Sequence, residues 1–561
     1  MTIEQIFVEQ AEYIETDSFE KWNAKHPDEE TILRKLTQGG AKLISGPRGC
    51  GKTTLLLKAF SKMSESQDSA FPVYVNFKRS LSVEPLYKSG TDGTYWFNQW
   101  VILKIYQGIY ESIGELATKL QLSISNENAK TAAGYLEMSN AAKVSTESLS
   151  VAILELDILK VLDVINKNRC VLLLDDAAHA FSPEQQRDFF DFFRQIKSKS
   201  ISPKAAIYPG VTNYSSSFHV GHDAEQVDVW IKPDNERYLE FMRKLIEARF
   251  SADINKLPQN VQDLIDLLCF ASFGVPRALL NMIQHLTQDQ DDQEQVISLD
   301  FSRADVIKAI KQHYANTKKL FTSLSAKLPV YEKFIESGET ILSNSLDYIK
   351  KYNKGKPVNK QSVSIAIAEA DLSHEFDRVF SMFQYAGLCI PKEELISRGE
   401  KGRFRIFTLH YAGLINSNAL LGAKAINIKD YVSAFSQRDA HEYSRTKSET
   451  LLGSLNLDNA FTLSLPPCSV CNTPRIYEDA KFCVRCGTPL TSSSTYLDLL
   501  GRDVSELPLT EGRIKKIREQ STIRKIKDIL IDHEHKELLS VERVGKFWAA
   551  KIHRLAEEFV E

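Results

Sequence analysis

The segment GPRGCGKT, residues 46–53, constrains the fold of this chain more than any other. It fits the pattern G-x-x-x-x-G-K-[S/T], and it stands between the apolar run AKLIS and the apolar-patterned segment TTLLLKAFSKM. A glycine-rich loop between a buried strand and a helix turns backbone amides toward phosphate groups, and the helix N-terminus adds positive potential. The sequence therefore predicts a strand–loop–helix unit that binds a nucleotide.

Two side chains of this loop carry the expected chemistry. Lys52 is placed to reach the β and γ phosphates of ATP, and the Thr53 hydroxyl to bind Mg²⁺. A glycine turn with an incidental lysine is the alternative. The residues expected to contact ATP are Gly46, Pro47, Arg48, Gly49, Cys50, Gly51, Lys52, Thr53 and Thr54.

The apolar stretch CVLLL, residues 170–174, ends in two acids, Asp175 and Asp176. Asp175 is expected to bind Mg²⁺ together with Thr53. Asp176 takes the position of a water-orienting acid, which is a glutamate in most ATP-driven machines of this type. Aspartate sets the carboxylate back by roughly 1.5 Å, and a misplacement of about 1 Å can cost on the order of 100-fold in rate. We therefore expect slow hydrolysis with binding retained; a helix N-terminal acid is the alternative for Asp176.

Two further segments offer polar groups for the phosphates. YPGVTN, residues 208–213, ends a predicted fourth strand, KAAIYPGVTN (204–213), so Thr212 or Asn213 is a candidate for the γ-phosphate; an ordinary turn explains the same residues equally well. In FGVPRALLNMI, residues 273–283, Arg277 falls in the first turn of a predicted helix. The helix dipole disfavours a cation there, which a phosphate contact would explain. A surface arginine is the alternative.

The segment CSVCNTPRIYEDAKFCVRCG carries a metal-ligand spacing. Cys468 and Cys471 form one C-x2-C pair, and Cys483 and Cys486 form a second pair after eleven intervening residues. Two such turns bring four thiolates around one tetrahedral Zn²⁺. The sequence predicts a zinc ribbon with a structural metal, since four thiolates leave no open position for chemistry.

Basic residues cluster in two segments around a predicted apolar helix at residues 376–383. SLDYIKKYNKGKPVNK, residues 345–360, has lysines at 350, 351, 354, 356 and 360, and SRGEKGRFRIF, residues 397–407, has Arg398, Lys401, Arg403 and Arg405. Short helices closed by a basic hairpin predict a winged helix with cations placed for DNA phosphates. A winged helix used for protein contact is the alternative.

The C-terminal segment contains VERVGKFWAAKI, residues 541–552, in which Gly545 precedes a predicted helix starting near Lys546. This pattern resembles a helix-hairpin-helix unit, and in outline the C-terminal domain of the RNA polymerase alpha subunit, where turn amides hold a DNA phosphate. Only one of the usual two glycines is present. A protein-docking helical domain is the alternative.

Strand–helix alternation through the first half predicts a parallel sheet with helices on both faces. The expected fold class is multidomain α/β and α, with a P-loop core, a helical lid, a winged helix, a zinc ribbon and a small helical C-terminal domain. The predicted units are a P-loop core (1–233), a lid (234–298), a winged helix (299–423), a linker (424–466), a zinc ribbon (467–492) and a helical domain (493–561).

The P-loop, the paired acids, a polar residue after the next strand and GVPR in a helical segment together resemble AAA+ ATPases, in particular initiators of the origin-recognition-complex type. The resemblance covers about residues 30–420. It implies that Arg277 senses nucleotide, that a winged helix follows the lid, and that Lys52, Asp175, Asp176, Asn213 and Arg277 form the catalytic set. Residues 211–230 contain no Lys or Arg, so the arginine that such proteins offer to a neighbour's ATP is missing there. Arg187 or Arg194 would have to replace it.

That departure and the paired aspartates also fit the related STAND class, which holds ATP as a switch. The net charge of −3 excludes a protein that coats nucleic acid over its whole surface. No apolar run approaches the ~20 residues of a membrane span, and no signal peptide precedes the core, so we expect a cytoplasmic protein. The expected function is nucleotide-dependent engagement of DNA, in a setting such as antiviral defence or mobile-element control. The alternative is a sensor or scaffold that binds a partner protein, with ATP fixing a homo-oligomer.

Overall fold

The computed structural model describes most of the chain. The described residues are 14, 19, 21–22, 24–66, 70–89, 92–144, 149–177, 182–287, 299, 301–397, 402–420, 428–436, 443–455, 457–475, 477, 480, 482–490, 494–532 and 534–560.

A five-stranded parallel sheet forms the centre of the N-terminal half. Its strands are β1 (Lys42–Ser45), β2 (Phe71–Asn76), β3 (Cys170–Asp175), β4 (Ile201–Ile207) and β5 (Glu225–Asp228). They are ordered β2–β3–β4–β1–β5, so β4 separates the strand before the P-loop from the strand that ends in the acids. All residues of β3 are buried, as expected for a parallel strand covered on both faces. The carboxyl ends of β1 and β3 therefore meet at one edge, where such sheets bind ligands.

Helices cover both faces of this sheet. They are α1 (Glu29–Thr37), α2 (Lys52–Glu65), α3 (Pro85–Ser89), α4 (Gly93–Ile113), α5 (Asn126–Glu137), α6 (Val151–Val164) and α7 (Pro183–Ile196). A helical insertion between β2 and β3, which comprises α3 to α6, packs on one face through Phe97, Trp100 and Tyr106, which are all buried. Trp96 is only partly buried at the margin of this core.

Helices of the predicted lid and winged helix follow the sheet. They are α8 (Tyr238–Phe250), α9 (Gln259–Ala271), α10 (Pro276–Thr287), α11 (Arg303–Thr322), α12 (Leu324–Lys327), α13 (Glu332–Asn353), α14 (His374–Ala386) and α15 (Tyr411–Asn416). A second sheet lies among them, with strands β6 (Ser364–Ala368), β7 (Cys389–Ser397), β8 (Arg403–Leu409) and β9 (Ser444–Thr446) in the order β7–β8–β6–β9. One continuous hydrophobic core joins the lid helices to this second sheet.

Residues 424–466, predicted as a linker, pack into that same core where the structure describes them. They form α16 (Ile428–Ser436), β9, α17 (Ser448–Leu452) and α18 (Leu457–Ala460). Tyr431 and Phe435 of α16 are buried in the core, and β9 pairs in parallel with β6. Apolar side chains recur at helical spacing in α16, although the surrounding segment is rich in polar residues. Their burial makes this segment part of the folded core, whereas its composition alone is typical of a linker.

The C-terminal segment forms a separate small core. Its helices are α19 (Thr495–Leu500), α20 (Glu511–Gln520), α21 (Ile526–Ile531), α22 (Lys536–Leu539) and α23 (Lys546–Val560). Leu81, between β2 and α3, and Ala326 of α12 belong to the same core. The C-terminal helices are therefore docked on the rest of the molecule through apolar contacts.

The predicted fold class, a multidomain α/β protein with a P-loop parallel-sheet core, is confirmed. The domain boundaries stay predictions. Among the described residues, we find no helix with the length and apolar character of a membrane span.

Candidate nucleotide and metal sites

The predicted P-loop lies between β1 and α2, at the carboxyl edge of the sheet. Gly49 and Gly51 have φ angles of +83° and +98°, which other residues rarely adopt. Gly51 immediately precedes α2, and it has no side chain that could accept the free amides of the helix start. This N-terminus therefore offers amide donors and positive potential to an anion.

Lys52 is the first residue of α2, and its side chain points back over the loop. It is 5% exposed, and its ammonium donates to the carbonyl oxygens of Gly46 at 2.7 Å and Pro47 at 3.1 Å. Burial lowers the pKa of Lys52. Thr53 and Thr54 line the same pocket, as do Arg48, Gly49, Cys50 and Gly51. Seven of the nine predicted loop residues, Lys52 among them, thus line one pocket.

The two acids after β3 are each held by a tyrosine. The Tyr74 hydroxyl donates to Asp175 Oδ2 at 2.9 Å, and the Tyr208 hydroxyl donates to Asp176 Oδ1 at 2.8 Å. Asp175 is 1% exposed, whereas Asp176 lines the pocket and has a left-handed φ of +51°. That φ aims the Asp176 side chain at β4, away from the extended path of the strand.

Tyr208 is a site residue that the sequence reasoning missed. It follows the last residue of β4, and the Lys52 ammonium lies 3.8 Å from the centroid of its ring. Burial raises the pKa of Tyr208 well above its usual value, so its hydroxyl keeps its proton and remains a donor. Tyr208 therefore contacts the Lys52 ammonium through its ring and the Asp176 carboxylate through its hydroxyl. Its position directly after a buried strand was the available signal.

The polar residues predicted after β4 make local contacts instead. The backbone amide and the Nδ2 of Asn213 both donate to Gln186 Oε1, at 2.7 and 2.8 Å, and the Thr212 hydroxyl donates to the Tyr208 carbonyl at 2.7 Å. Neither Asn213 nor Thr212 lines the pocket. The structure therefore does not bring Asn213 to the predicted phosphate position, because Gln186 of α7 holds it.

Arg277 does reach the pocket. It lies in the first turn of α10, and its amide donates to the Gly49 carbonyl at 3.4 Å. A Cβ on Gly49 would lie 2.8 Å from the Arg277 Cβ, so only glycine allows this approach. The Arg277 guanidinium lies 3.4 Å from Glu558 Oε1, on the last turn of α23. Glu558 was also missed, because 281 residues separate it from Arg277.

Apolar side chains also line this pocket. They are Trp22, Phe241 and Leu245, together with His26, whose ring meets Phe241 edge-on with centroids 5.5 Å apart. The Arg249 guanidinium lies 5.3 Å from the Trp22 ring centroid. A pocket lined by both loop amides and aromatic side chains suits a nucleotide. Trp22 and His26 precede α1, where amphipathic patterning alone gave no reason to single them out.

The four predicted metal ligands come together. Their sulfur atoms all lie within 4.8 Å of one another, with Sγ–Sγ distances of 3.5 Å for Cys468–Cys486 and for Cys471–Cys483. Four thiolates at about 2.3 Å from a tetrahedral ion would be about 3.8 Å apart, whereas disulfide sulfurs are about 2.05 Å apart. The arrangement therefore fits a metal centre.

Two matching turns build this cluster. Each C-x2-C pair is followed by a residue with positive φ, Asn472 at +54° and Gly487 at +70°. The sulfur atoms of Cys471 and Cys486 lie 3.1 and 3.2 Å from the hydroxyls of Thr473 and Thr488. These hydroxyl contacts are the main cause of a lowered pKa at both thiols, which favours the thiolate that a metal requires.

Some of the cations predicted to contact DNA are exposed, and others contact neighbouring side chains. Lys350, Lys351, Lys354 and Lys360 are exposed at the end of α13 and in the loop after it, and the Lys356 ammonium lies 3.2 Å from the Tyr352 ring centroid. Arg403 is exposed, whereas Arg405 forms an ion pair with Asp377. Arg398 and Lys401 lie outside the described residues. Among the described residues of this surface, the four lysines and Arg403 are the exposed cations available to a partner.

The last helix of the chain begins where the sequence predicted its start. Helix α23 begins at Lys546, directly after Gly545, and both residues are exposed. The preceding Arg543 has a φ of +64°. The other end of α23 lies at the nucleotide pocket, which the sequence did not indicate.

Some solved structures are distantly similar to this chain. No family model matches the chain, and no curated protein matches it. The Orc1 protein of Aeropyrum pernix, solved in complex with DNA, is 14% identical with a TM-score of 0.31, over 74% of this chain and 95% of that chain. The ORC2 protein of Aeropyrum pernix, solved as ADPNP–ADP complexes, is 12% identical with a TM-score of 0.33, over 75% and 96%. Cdc6p of Pyrobaculum aerophilum is 12% identical with a TM-score of 0.32, over 78% and 99%.

Replacing one thiol should empty the metal centre. We expect Cys483→Ser to reduce bound transition metal from about one ion per chain to near zero, because three thiolates do not complete a closed tetrahedral site. The control is Ser469→Ala, an exposed position in the first C-x2-C turn, which should keep its metal. Elemental analysis of the purified full chains measures both, and equal metal content in the two variants would contradict the four-thiolate site.

Proposed function

We propose that this chain is an ATP-binding protein that hydrolyses ATP slowly and engages DNA in a nucleotide-dependent way. The observation that supports it best is the P-loop at the start of α2, with Lys52, Asp176 and Arg277 around the same pocket. These three groups come from the loop, from the end of β3 and from the lid. A structural turn would not require such a convergence of charges.

Different residues around the pocket would bind the phosphates, the Mg²⁺ ion and the base. The amides at the start of α2 would donate to phosphate oxygens, and the Lys52 ammonium would exchange its two carbonyl acceptors for phosphate oxygens. The Thr53 hydroxyl and Asp175 would hold Mg²⁺, which offsets charge on the phosphates. The apolar side chains Trp22, Phe241 and Leu245 would contact the base.

The position of Asp176 supports slow turnover. Its carboxylate would accept a hydrogen bond from the attacking water, but it already accepts one from Tyr208. This contact occupies part of the acceptor capacity and fixes the carboxylate toward β4. The shorter side chain of aspartate adds to the same effect.

The exposed lysines around the end of α13 support contact with DNA. Lys350, Lys351, Lys354 and Lys360 are available for phosphates, and the continuous core connects this surface with the lid. A change in the lid on nucleotide binding would therefore change how this surface is presented. The four-cysteine cluster would hold Zn²⁺ in a structural role.

A second candidate function is a scaffold that binds a partner protein. The observation that favours it is the Arg405–Asp377 ion pair, which uses one of the predicted DNA-contacting cations inside the molecule. In this case nucleotide would stabilise an assembly of several copies, and DNA binding would be weak and unspecific.

Removal of the Lys52 ammonium should weaken ATP binding. We expect Lys52→Ala to raise the Kd for ATP by about 10- to 100-fold, the value of one charge-assisted contact to phosphate. The control is Lys62→Ala, an exposed lysine in the last turn of the same helix, which should bind as the unmodified chain does. Isothermal titration with Mg–ATP measures both, and an unchanged Kd in Lys52→Ala would place the nucleotide elsewhere.

Asp176 and Tyr208 should affect turnover as one unit. Asp176→Asn should lower kcat by about 10-fold or more at unchanged ATP affinity, since the amide is a poor proton acceptor. Tyr208→Phe should raise kcat by a few-fold in the native background, because it frees the carboxylate, and should have no effect in the Asp176→Asn background. Steady-state phosphate release measures all four proteins. Equal effects of Tyr208→Phe in both backgrounds would mean that Tyr208 acts independently of Asp176.

Neutralising the lysines near the end of α13 should lower the salt dependence of DNA binding. For Lys350, Lys351 and Lys354 changed together to Ala, we expect the negative slope of log K against log salt to become less steep by about 3, at roughly 0.9 per phosphate contact. A matched triple change removes the exposed Lys119, Lys130 and Lys143 from the helical insertion. Fluorescence anisotropy with duplex DNA, with and without Mg–ATP, distinguishes the two functions. No binding at low salt, or equal slopes in both variants, favours the scaffold.

A further inference from the structure

The last turn of α23 lies against the nucleotide pocket, where one acid meets cations from two other segments. Glu558 Oε1 is 3.4 Å from Arg277 Nη1, and Glu558 Oε2 is 3.6 Å from Arg48 Nη2. Arg48 belongs to the P-loop and Arg277 to the first turn of the lid helix α10. The single carboxylate thus bridges the loop and the lid.

The main chain at the same residue adds two further contacts. The carbonyl oxygen of Glu558 accepts from Arg48 Nη1 at 3.3 Å and from Lys327 Nζ at 3.4 Å. Two turns earlier on α23, the Lys551 ammonium donates to Gln284 Oε1 of α10 at 2.8 Å. The end of α23 is therefore held on the pocket by polar contacts to the P-loop, the lid and α12.

These contacts are partly shielded from water. The side chains of Arg48, Arg277 and Glu558 are 15%, 23% and 18% exposed. Nearby Phe559 and Val560 are buried in the C-terminal core. Bulk water therefore screens the three charges less than it would on an open surface.

The C-terminal unit has a second attachment that does not involve Glu558. The buried Glu84 carboxylate accepts from the Ser494 hydroxyl and from the amides of Thr495 and Tyr496, at the start of α19. Leu81 and Ala326 pack into the same small core. Because this attachment is independent, loss of the Glu558 contacts would free the end of α23 and leave the unit docked.

We propose that Glu558 is a built-in anionic competitor of the nucleotide's phosphates, so that ATP binding releases the end of α23 from the pocket. This inference rests on the proposed function, because it requires ATP in the P-loop pocket. A carboxylate and a phosphate carry the same sign of charge and compete for the same guanidinium groups. The distances of 3.4 and 3.6 Å exceed those of a tight bidentate pair, so a bound phosphate can replace this carboxylate.

Competition of this kind is reciprocal. If ATP weakens the contact of α23 with the pocket by some factor, loss of that contact strengthens ATP binding by the same factor. The C-terminal helices would thus change their contact with the pocket when nucleotide binds, and a partner bound to these helices would sense that change. The terminal phosphate should matter most, since it is the group expected to meet Arg277.

The test compares two neighbouring acids of α23 in the full chain. Glu558→Gln keeps the size of the side chain and removes its charge. Glu557→Gln is the matched control, because Glu557 lies 3.9 Å from His553 on its own helix and does not line the pocket. Isothermal titration gives the Kd for Mg–ATP and Mg–ADP, and hydrogen exchange by mass spectrometry reports on residues 546–560.

We expect Glu558→Gln to bind ATP about 3- to 10-fold more tightly than the Glu557→Gln control, with a smaller change for ADP. Without nucleotide, the end of α23 should exchange faster in Glu558→Gln than in the control. Addition of ATP to the unmodified chain should raise exchange there as well.

The same measurements distinguish a failure of the competition from a failure of ATP binding itself. If ATP binds in a Lys52-dependent way and Glu558→Gln has the same Kd as the control, the competition is wrong and the proposed function stands. The same holds if ATP protects the end of α23 from exchange. If no variant binds ATP in a Lys52-dependent way, the proposed function fails and the competition fails with it.

Discussion

The contact between the P-loop and the lid is the constraint on which the rest of the molecule depends. Gly49 and Arg277 approach so closely that any other side chain at position 49 would collide with the arginine. Gly274, just before α10, has a φ of +80°, and a Cβ there would lie 2.0 Å from the Ile231 carbonyl oxygen. Two glycines thus hold the start of α10 against the loop and the end of the sheet. An anion bound in the loop would therefore lie close to the first turn of the lid helix α10.

The hydrophobic core extends this constraint toward the second sheet. The lid helices share one continuous core with β6, β7, β8 and α16. Movement of the lid helices alone would therefore break buried apolar contacts, so we expect these elements to move together. Gly210, after β4, approaches the same body, since a Cβ there would lie 1.9 Å from the Ser381 carbonyl oxygen of α14. The end of the central sheet therefore touches both the lid and α14, which shares its core with the lysine-bearing helix α13. Under the proposed function, nucleotide would affect the lysines at the end of α13 through this packing.

Local patterns in the sequence predicted the parts that local physics determines. The loop at 46–53, the apolar strand before Asp175 and the two cysteine pairs were identifiable because a few adjacent residues fix each geometry. The start of α23 at Lys546 was predicted for the same reason. Tyr208, Trp22 and Glu558 were missed, since their roles arise from contacts between segments far apart in the chain. Some helix was expected in the predicted linker at 424–466, but the burial of residues 428–436 was not, because the core that their few apolar side chains fill comes from distant segments.

The central claim is that one anion site, shared by the loop, the lid and the end of α23, connects nucleotide with the position of the C-terminal unit. A structure of the full chain bound to Mg²⁺ and a non-hydrolysable ATP analogue tests it most directly. We expect the terminal phosphate to contact Lys52 and Arg277, with the Glu558 carboxylate moved away from both arginines. A bound analogue with the Glu558 pairs to Arg48 and Arg277 intact, and with Arg277 away from the phosphates, would contradict the claim.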